Sequence, residues 1–60
     1  METETLRITE QDIEQFKDAC EEIHGIEFIS YEGGNVLVEY EYKHQLYYLG
    51  QMFQLKKRLA

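Results

Sequence analysis

A pair of glycines, Gly33 and Gly34, interrupts a run of strand-forming residues and constrains the fold more than any other feature of this sequence. The run from Ile26 to Tyr42 is otherwise rich in β-branched and aromatic side chains. Two adjacent glycines supply the positive φ angles that a tight hairpin turn requires. The pattern therefore predicts two antiparallel strands, 26–32 and 36–42, joined by a two-residue loop.

A regular register from this turn predicts which side chains share each face of the hairpin. The expected cross-strand pairs are Tyr31 with Val36, Ile29 with Val38 and Glu27 with Tyr40. One face would hold Ile29, Tyr31, Val36, Val38, Tyr40 and Tyr42, and the other would hold Ile26, Phe28, Ser30, Leu37, Glu39 and Glu41. A turn at Gly34 and Asn35 would shift the partners by two residues and leave these faces unchanged.

A first helix is expected over residues 9–24. Its apolar residues recur at spacings of three and four, which is typical of one face of an amphipathic helix; they are Ile13, Phe16, Cys20 and Ile23, with Ala19 beside them. Thr9 is the expected N-cap with Asp12 at the third helical position, and Gly25 is expected to end the helix in the left-handed conformation. Residues 1–7 show no clear period and are expected to form a frayed terminus or a short extended lead-in.

A second helix is expected over residues 44–60, and its apolar surface is unusually broad. At 100° per residue, two apolar stripes lie roughly 100° apart. One stripe holds Tyr48, Met52, Leu55 and Leu59, and the other holds Leu46, Leu49 and Phe53. A domain this small offers little surface to cover both, so these seven residues are the predicted oligomer interface.

The predicted fold is a single α+β domain over residues 1–60 with the order α-β-β-α, in which two helices pack on the antiparallel hairpin. An isolated hairpin is only marginally stable, and one cysteine cannot form an internal disulfide. Small domains without disulfides often gain stability by associating. We therefore expect a homodimer or higher oligomer, with strand-edge and helix-helix geometries both left open.

Charge is segregated along the chain. The net charge is −6, yet all twelve acidic residues lie in positions 1–42, where Arg7 and Lys17 are the only bases. That part has a formal charge of −10, and the last eighteen residues have a charge of +4. Such segregation can steer association with charged partners, although acids at helix starts and bases at helix ends also simply favour the helix dipole. The predicted acidic face consists of Glu14, Asp18, Glu21, Glu22, Glu39 and Glu41.

Aromatic and basic residues near the second helix form a possible partner or ligand surface. Tyrosine combines a large apolar ring with a polar tip, which suits binding surfaces. The set is Tyr40, Tyr42, Tyr47, Lys56, Lys57 and Arg58. The acidic net charge disfavours direct DNA or RNA binding, because the field of the protein repels phosphates.

Catalytic, metal and cofactor sites are not expected. Ser30 has no nucleophile motif around it, and Cys20 lies on the apolar stripe of the first helix, where a cysteine is most often a buried small hydrophobe. Cys20, His24 and His44 fall short of the four ligands of a structural zinc site. No family motif is present.

The favoured hypothesis is a small, acidic, non-enzymatic, homo-oligomeric protein that acts by protein–protein interaction, such as a bacterial or phage accessory regulator or inhibitor. One alternative is a binder of an anionic metabolite or nucleotide at an oligomer interface. Another is an acidic mimic of nucleic acid that occupies a basic groove of a partner. Without a signal-peptide pattern or a run of roughly 20 apolar residues, the sequence predicts a cytoplasmic protein with no membrane partner.

Overall fold

The computed structural model describes residues 1–59 and has the element order β-α-β-β-α. Its elements are β1 (Glu2–Arg7), a short 3-10 helix (Glu10–Asp12), α1 (Ile13–Glu22), β2 (Ile26–Glu32), β3 (Asn35–Tyr40) and α2 (Lys43–Leu59). The predicted α+β class is confirmed by the antiparallel sheet and two helices. The last residue of the predicted second helix, Ala60, lies outside the described residues.

The sheet has three strands in the order β1-β3-β2, so the predicted two-stranded hairpin was incomplete. Residues 1–7 are extended and not frayed, and the sequence did not predict that Glu2–Arg7 pairs antiparallel with β3 over six residues. An exposed edge strand does not need alternating apolar residues, and Thr3 and Thr5 are the β-branched signal in this segment. β1 and β2 run parallel on either side of β3, which is the split β-α-β arrangement.

The hairpin turn is confirmed, but the predicted register beyond it was wrong. Gly33 and Gly34 have φ angles of +60° and +84° and form the two-residue loop, and Tyr31 lies opposite Val36 as expected. A β-bulge then falls between Phe28 and Ser30. The bulge inserts one extra residue, Ile29, which inverts the faces of everything that precedes it on β2.

As a result, Phe28 lies opposite Val38 and Ile26 opposite Tyr40, on the face that packs against the helices. Both had been predicted on the opposite face. Ile29, predicted on the packed face, is exposed.

The first helix is shorter than predicted and begins differently. A 3-10 turn precedes α1, and the α-helix ends at Glu22 rather than at residue 24. Thr9 is the N-cap of the 3-10 turn, yet its hydroxyl donates to the Asp12 carboxylate at 2.9 Å instead of accepting from a backbone N–H. Gly25 has a φ angle of +94°, which confirms the left-handed residue expected there.

Both helices cover one face of the sheet, and the core lies between these two layers. The buried residues of the core are Ile8, Phe16, Ala19, Cys20, Val36, Val38 and Leu49. The ring of Phe16 joins the layers, because it makes edge contacts with Phe28 of β2 and Phe53 of α2 at centroid distances of 6.4 and 5.3 Å. Among the described residues, no helix has the length and apolar character needed to cross a membrane.

Candidate interaction surface

The two apolar stripes of α2 have different surroundings. Leu49 is only 1% exposed, and Leu46 and Phe53 pack against the core beside it. These three members of the predicted oligomer interface are therefore occupied within their own chain. The predicted interface is reduced to the other stripe, which consists of Tyr48, Met52, Leu55 and Leu59.

That second set, here called the outer stripe, is largely open to solvent. The exposed fractions of Tyr48, Leu55 and Leu59 are 53%, 48% and 77%, and Met52 is half-buried. Beside the stripe, a groove of about 420 Å³ runs between α2 and the end of α1. Its lining includes Ile23 and His24 from the α1 side and Tyr48, Met52 and Leu55 from α2. The outer stripe thus continues into an apolar depression.

Aromatic rings extend the outer stripe toward the start of α2. The ring of His44 stacks on Tyr42 with an interplanar angle of 9° and meets Tyr48 edge-on, both at 5.7 Å. Tyr47 contacts Tyr48 edge-on at 6.3 Å. Since Tyr42, Tyr47 and Tyr48 are all exposed, these contacts form an aromatic surface and not a part of the core.

The helix surface is also free of formal charge over three turns. Residues 45–55 contain no Asp, Glu, Lys or Arg, although 30% of the whole chain is charged. Interface centres are depleted in charged residues and enriched in tyrosine and methionine. The composition of this exposed surface therefore matches an interface more closely than a solvated helix face.

The basic residues at the end of α2 pair with carboxylates of their own chain. Lys56 Nζ lies 2.8 Å from Glu22 Oε1, and this hydrogen bond raises the pKa of Lys56 above its ordinary value of 10.5. Lys57 Nζ lies 3.5 Å from Asp12 Oδ2 and 5.0 Å from the centroid of the Phe53 ring. These contacts link α2 to the start and end of the first helical segment, and they pair two of the three basic residues of the predicted partner or ligand surface. The third, Arg58, is exposed.

Tyr40 is not part of a surface. It is only 4% exposed and faces the helices, so its predicted membership of the partner or ligand surface was wrong. Burial raises the pKa of its hydroxyl, and the nearby carboxylates of Glu2 and Glu4 add to the rise. The register explains this, because Glu2 lies directly opposite Tyr40 on β1.

The six residues of the predicted acidic face do not share one face. Four of them, Glu14, Asp18, Glu21 and Glu22, are exposed on α1, on the covered side of the sheet. Glu39 lies on the opposite, open side, where it pairs across the strands with Thr3 and Glu27. Glu41 lies in the turn before α2. The sheet separates Glu39 from the α1 carboxylates.

Cys20 is buried, as expected for a small hydrophobe in the core. Burial raises the pKa of its thiol to about 11, and the charge of Glu21 contributes to the rise. A thiol with this pKa is protonated at neutral pH and is a poor nucleophile or metal ligand. Within residues 1–59, no group of three or more His, Cys, Asp or Glu side chains is placed to hold a metal ion.

Sequence reasoning missed Gln45, which positions the aromatic surface. Its Oε1 accepts hydrogen bonds from the N–H groups of Glu41 and Tyr42 at 2.9 and 2.8 Å, and its Nε2 donates to the His24 carbonyl at 3.0 Å. A glutamine at the third helical position that reaches back to the N-cap N–H is half of a capping box. That spacing, Tyr42 to Gln45, was the available signal.

Comparisons of the chain with protein-family models, with curated proteins and with solved structures found no significant match.

Proposed function

We propose that this protein is a small, non-enzymatic interaction protein that forms a homodimer through the outer stripe of α2 and acts by binding another protein. The observation that supports the proposal is the exposed, uncharged and aromatic surface of α2. Five large apolar side chains in or next to this helix are exposed, and they are Tyr42, Tyr47, Tyr48, Leu55 and Leu59. A monomer gains nothing from exposing them together, whereas a second copy would bury them.

A two-fold arrangement suits this surface. In a symmetric dimer each helix meets its own counterpart, so an uncharged stripe avoids the like-charge repulsion that a charged one would create. The grooves beside Tyr48 and Leu55 would accept the same two side chains from the second copy. The tyrosine rings, already held by contacts with His44 and each other, would lose little conformational entropy on binding.

The test is the mass of the protein in solution, measured by light scattering after size exclusion and by sedimentation equilibrium. We expect the wild-type chain to be a dimer at micromolar concentration and Leu55→Glu and Tyr48→Arg to be monomers. Both residues are exposed, so circular dichroism should show that the variants remain folded. Gln54→Glu is the matched control, because Gln54 is exposed on the same helix but outside the stripe. A wild-type chain that is strictly monomeric would contradict the proposal.

The two alternative functions have weaker support. An anionic ligand would need free cations, but Lys56 and Lys57 are paired with Glu22 and Asp12. An acidic mimic of nucleic acid would need a continuous acidic surface, but the sheet separates Glu39 from the carboxylates of α1.

A further inference from the structure

The outer side of β1 is an unpaired and regular strand edge. The Ile8 N–H donates to the Gly34 carbonyl at 3.0 Å, and this bond shows which residues of β1 hydrogen-bond to β3. By alternation, Glu2, Glu4 and Leu6 turn their backbone groups toward β3, and Thr3, Thr5 and Arg7 turn theirs outward. Pairing between β1 and β3 is continuous over six residues. These three residues, at every second position, therefore each offer an N–H and a C=O group to an incoming strand.

The opposite edge of the sheet is different. β2 contains the bulge at Ile29, which leaves one residue unpaired and bends the strand. Bulges are one of the devices by which proteins prevent strand addition at an edge. β1 is thus the edge with the geometry that β-augmentation requires.

An apolar groove of about 250 Å³ lies directly beside the β1 edge, beneath α2. The lining comes from β1 and the residue that follows it, from α1 and from α2. The lining residues are Leu6, Arg7, Ile8, Phe16, Leu46, Leu49, Gly50 and Phe53. A strand added to β1 would direct alternate side chains toward this groove, because side chains of paired strands at the same level share a face.

The glycine at position 50 of α2 is a second feature of this groove. Glycine is disfavoured in a helix interior, and a Cβ built at position 50 would meet no atom within 4 Å apart from its chain neighbours and the adjacent backbone of its own helix. The packing of the chain itself therefore does not require a glycine here. The missing side chain keeps open the part of the groove that an added strand would enter.

The side chains along the helix-facing side of β1 define the chemistry of the occupant. In chain order they are two carboxylates, Glu2 and Glu4, followed by Leu6 and then Ile8. Both glutamates are exposed, and each lies opposite a buried residue of β3, Tyr40 and Val38. A complementary strand would place basic side chains beside the carboxylates and apolar ones beside Leu6 and Ile8.

A second copy of β1 does not meet this requirement. Two-fold antiparallel pairing centred on Thr5 would place Glu4 of one copy opposite Leu6 of the other, which directs carboxylates toward the apolar groove. Pairing centred on Glu4 would place two carboxylates opposite each other, which is destabilising. Inward-facing charges at a strand edge act against self-pairing.

We propose that β1 and the groove beneath α2 bind an extended segment of another protein, which adds as a fourth, antiparallel strand. On its helix-facing side this segment has apolar residues first and basic residues after them. The proposal rests on the part of the proposed function in which the protein binds another protein. Strand binding at β1 is independent of self-association, because at 100° per residue Gly50 lies on the side of α2 opposite the outer stripe.

The test uses a synthetic peptide, Gly-Thr-Val-Thr-Val-Thr-Lys-Thr-Lys-Gly, titrated into the full-length 15N-labelled protein and followed by NMR. We expect shift changes at the outward amides of Thr3, Thr5 and Arg7 and at Gly50, with β2 unaffected. A peptide with both lysines replaced by glutamate should bind about tenfold more weakly, since two attractive pairs become repulsive.

Variants of the protein make the test specific. Glu2→Lys/Glu4→Lys should reverse the preference toward the glutamate peptide, whereas Glu27→Lys/Glu39→Lys, on the open face, should not. Gly50→Leu should abolish binding while the protein stays folded by circular dichroism. Absence of shift changes at the solubility limit of the peptide, equal affinity for both peptides, or shifts centred on β2 would each overturn the proposal.

Self-association is separated from strand binding by repeating the titration with Leu55→Glu. Binding of the peptide by this variant supports the edge site whatever the mass of the wild-type protein. Loss of binding in this folded variant would overturn the assignment of the site to β1.

Discussion

The side chain of Gln45 occupies the space beside Gly25 into which any larger residue at position 25 would project. A Cβ at Gly25 would overlap Nε2 of Gln45, the atom that donates to the His24 carbonyl at 3.0 Å. Because Oε1 of the same amide accepts from two N–H groups at the start of α2, one side chain links the ends of the two helices. The link includes the backbone N–H of Tyr42, whose ring belongs to the aromatic surface.

Replacement of Gln45 by alanine should destabilise the protein by about 2 kcal/mol, because three backbone groups lose a partly buried partner. Urea unfolding monitored by circular dichroism measures this change. Gln54→Ala is the control, since Gln54 is exposed on the same helix and should change stability by less than about 0.5 kcal/mol. Equal effects of the two substitutions would contradict the bridging role.

The contact between positions 25 and 45 also predicts non-additivity. Gly25→Ala should cost stability both through the φ angle of +94° and through overlap with Gln45. In the Gln45→Ala background the overlap is absent and only the backbone strain remains. A double-mutant cycle should therefore give a coupling of about 1 kcal/mol, and strict additivity would show that the two residues do not compete for space.

The β-bulge predicts opposite sensitivities at two adjacent residues. Phe28→Ala should destabilise by about 2 kcal/mol, because the ring contacts Phe16 and the Lys17 ammonium. Ile29→Ala should change stability by less than about 0.5 kcal/mol, because its side chain is exposed. The regular register predicts the reverse order, so urea midpoints of the two variants distinguish the registers.

Cys20 should resist alkylation by iodoacetamide at pH 8 in the native protein and react readily in urea. Burial, with a contribution from Glu21, raises the pKa of the Cys20 thiol from 9.0 to about 11. Between these two pH values the thiol keeps its proton in the folded state and loses it in the unfolded state. The corresponding stability is fully present below pH 9 and is lost as the pH rises through about 11. As the pH rises from 9 to about 11, the free energy of unfolding should therefore fall less for Cys20→Ala than for the wild type. Tyr40 and Lys56 titrate in both proteins, so they do not account for the difference. Parallel pH profiles would contradict this.

Along β1 the backbone N–H groups point alternately toward β3 and outward, which predicts different effects of proline at neighbouring positions. Glu4 directs its N–H to β3 and Thr5 directs its N–H outward. Glu4→Pro should reduce stability by about 2 kcal/mol or more, and Thr5→Pro should reduce it substantially less. Hydrogen exchange followed by NMR gives a second measurement, since amides at the outward positions should exchange faster than those of Glu4 and Leu6.

The features that the sequence predicts correctly are those whose signals lie close to them in the chain. Gly33 and Gly34 determine the turn, Gly25 predicts the left-handed residue between α1 and β2, and the spacing of Leu46, Leu49 and Phe53 predicts the buried side of α2. In each case the information is within a few residues of the feature.

The missed features depend on contacts between distant segments. β1 is a strand only because β3 provides a partner, and its Glu and Thr residues have no apolar alternation to reveal it. The bulge at Ile29 places Phe28 against Phe16, so its benefit lies in the core and not in the strand. The pairing of Lys56 with Glu22 spans 34 positions in the chain, and no pattern in either helix indicates it.

The bulge at Ile29 also sets a limit on valency. Growth of a sheet by repeated addition of copies needs a competent acceptor on both sides of every unit. A unit that is regular at β1 and interrupted at β2 can accept one strand and then stops. A segment bound at the β1 edge as proposed would therefore give a complex of one segment per chain, because the same extra residue that turns Phe28 toward the core disfavours strand addition at β2.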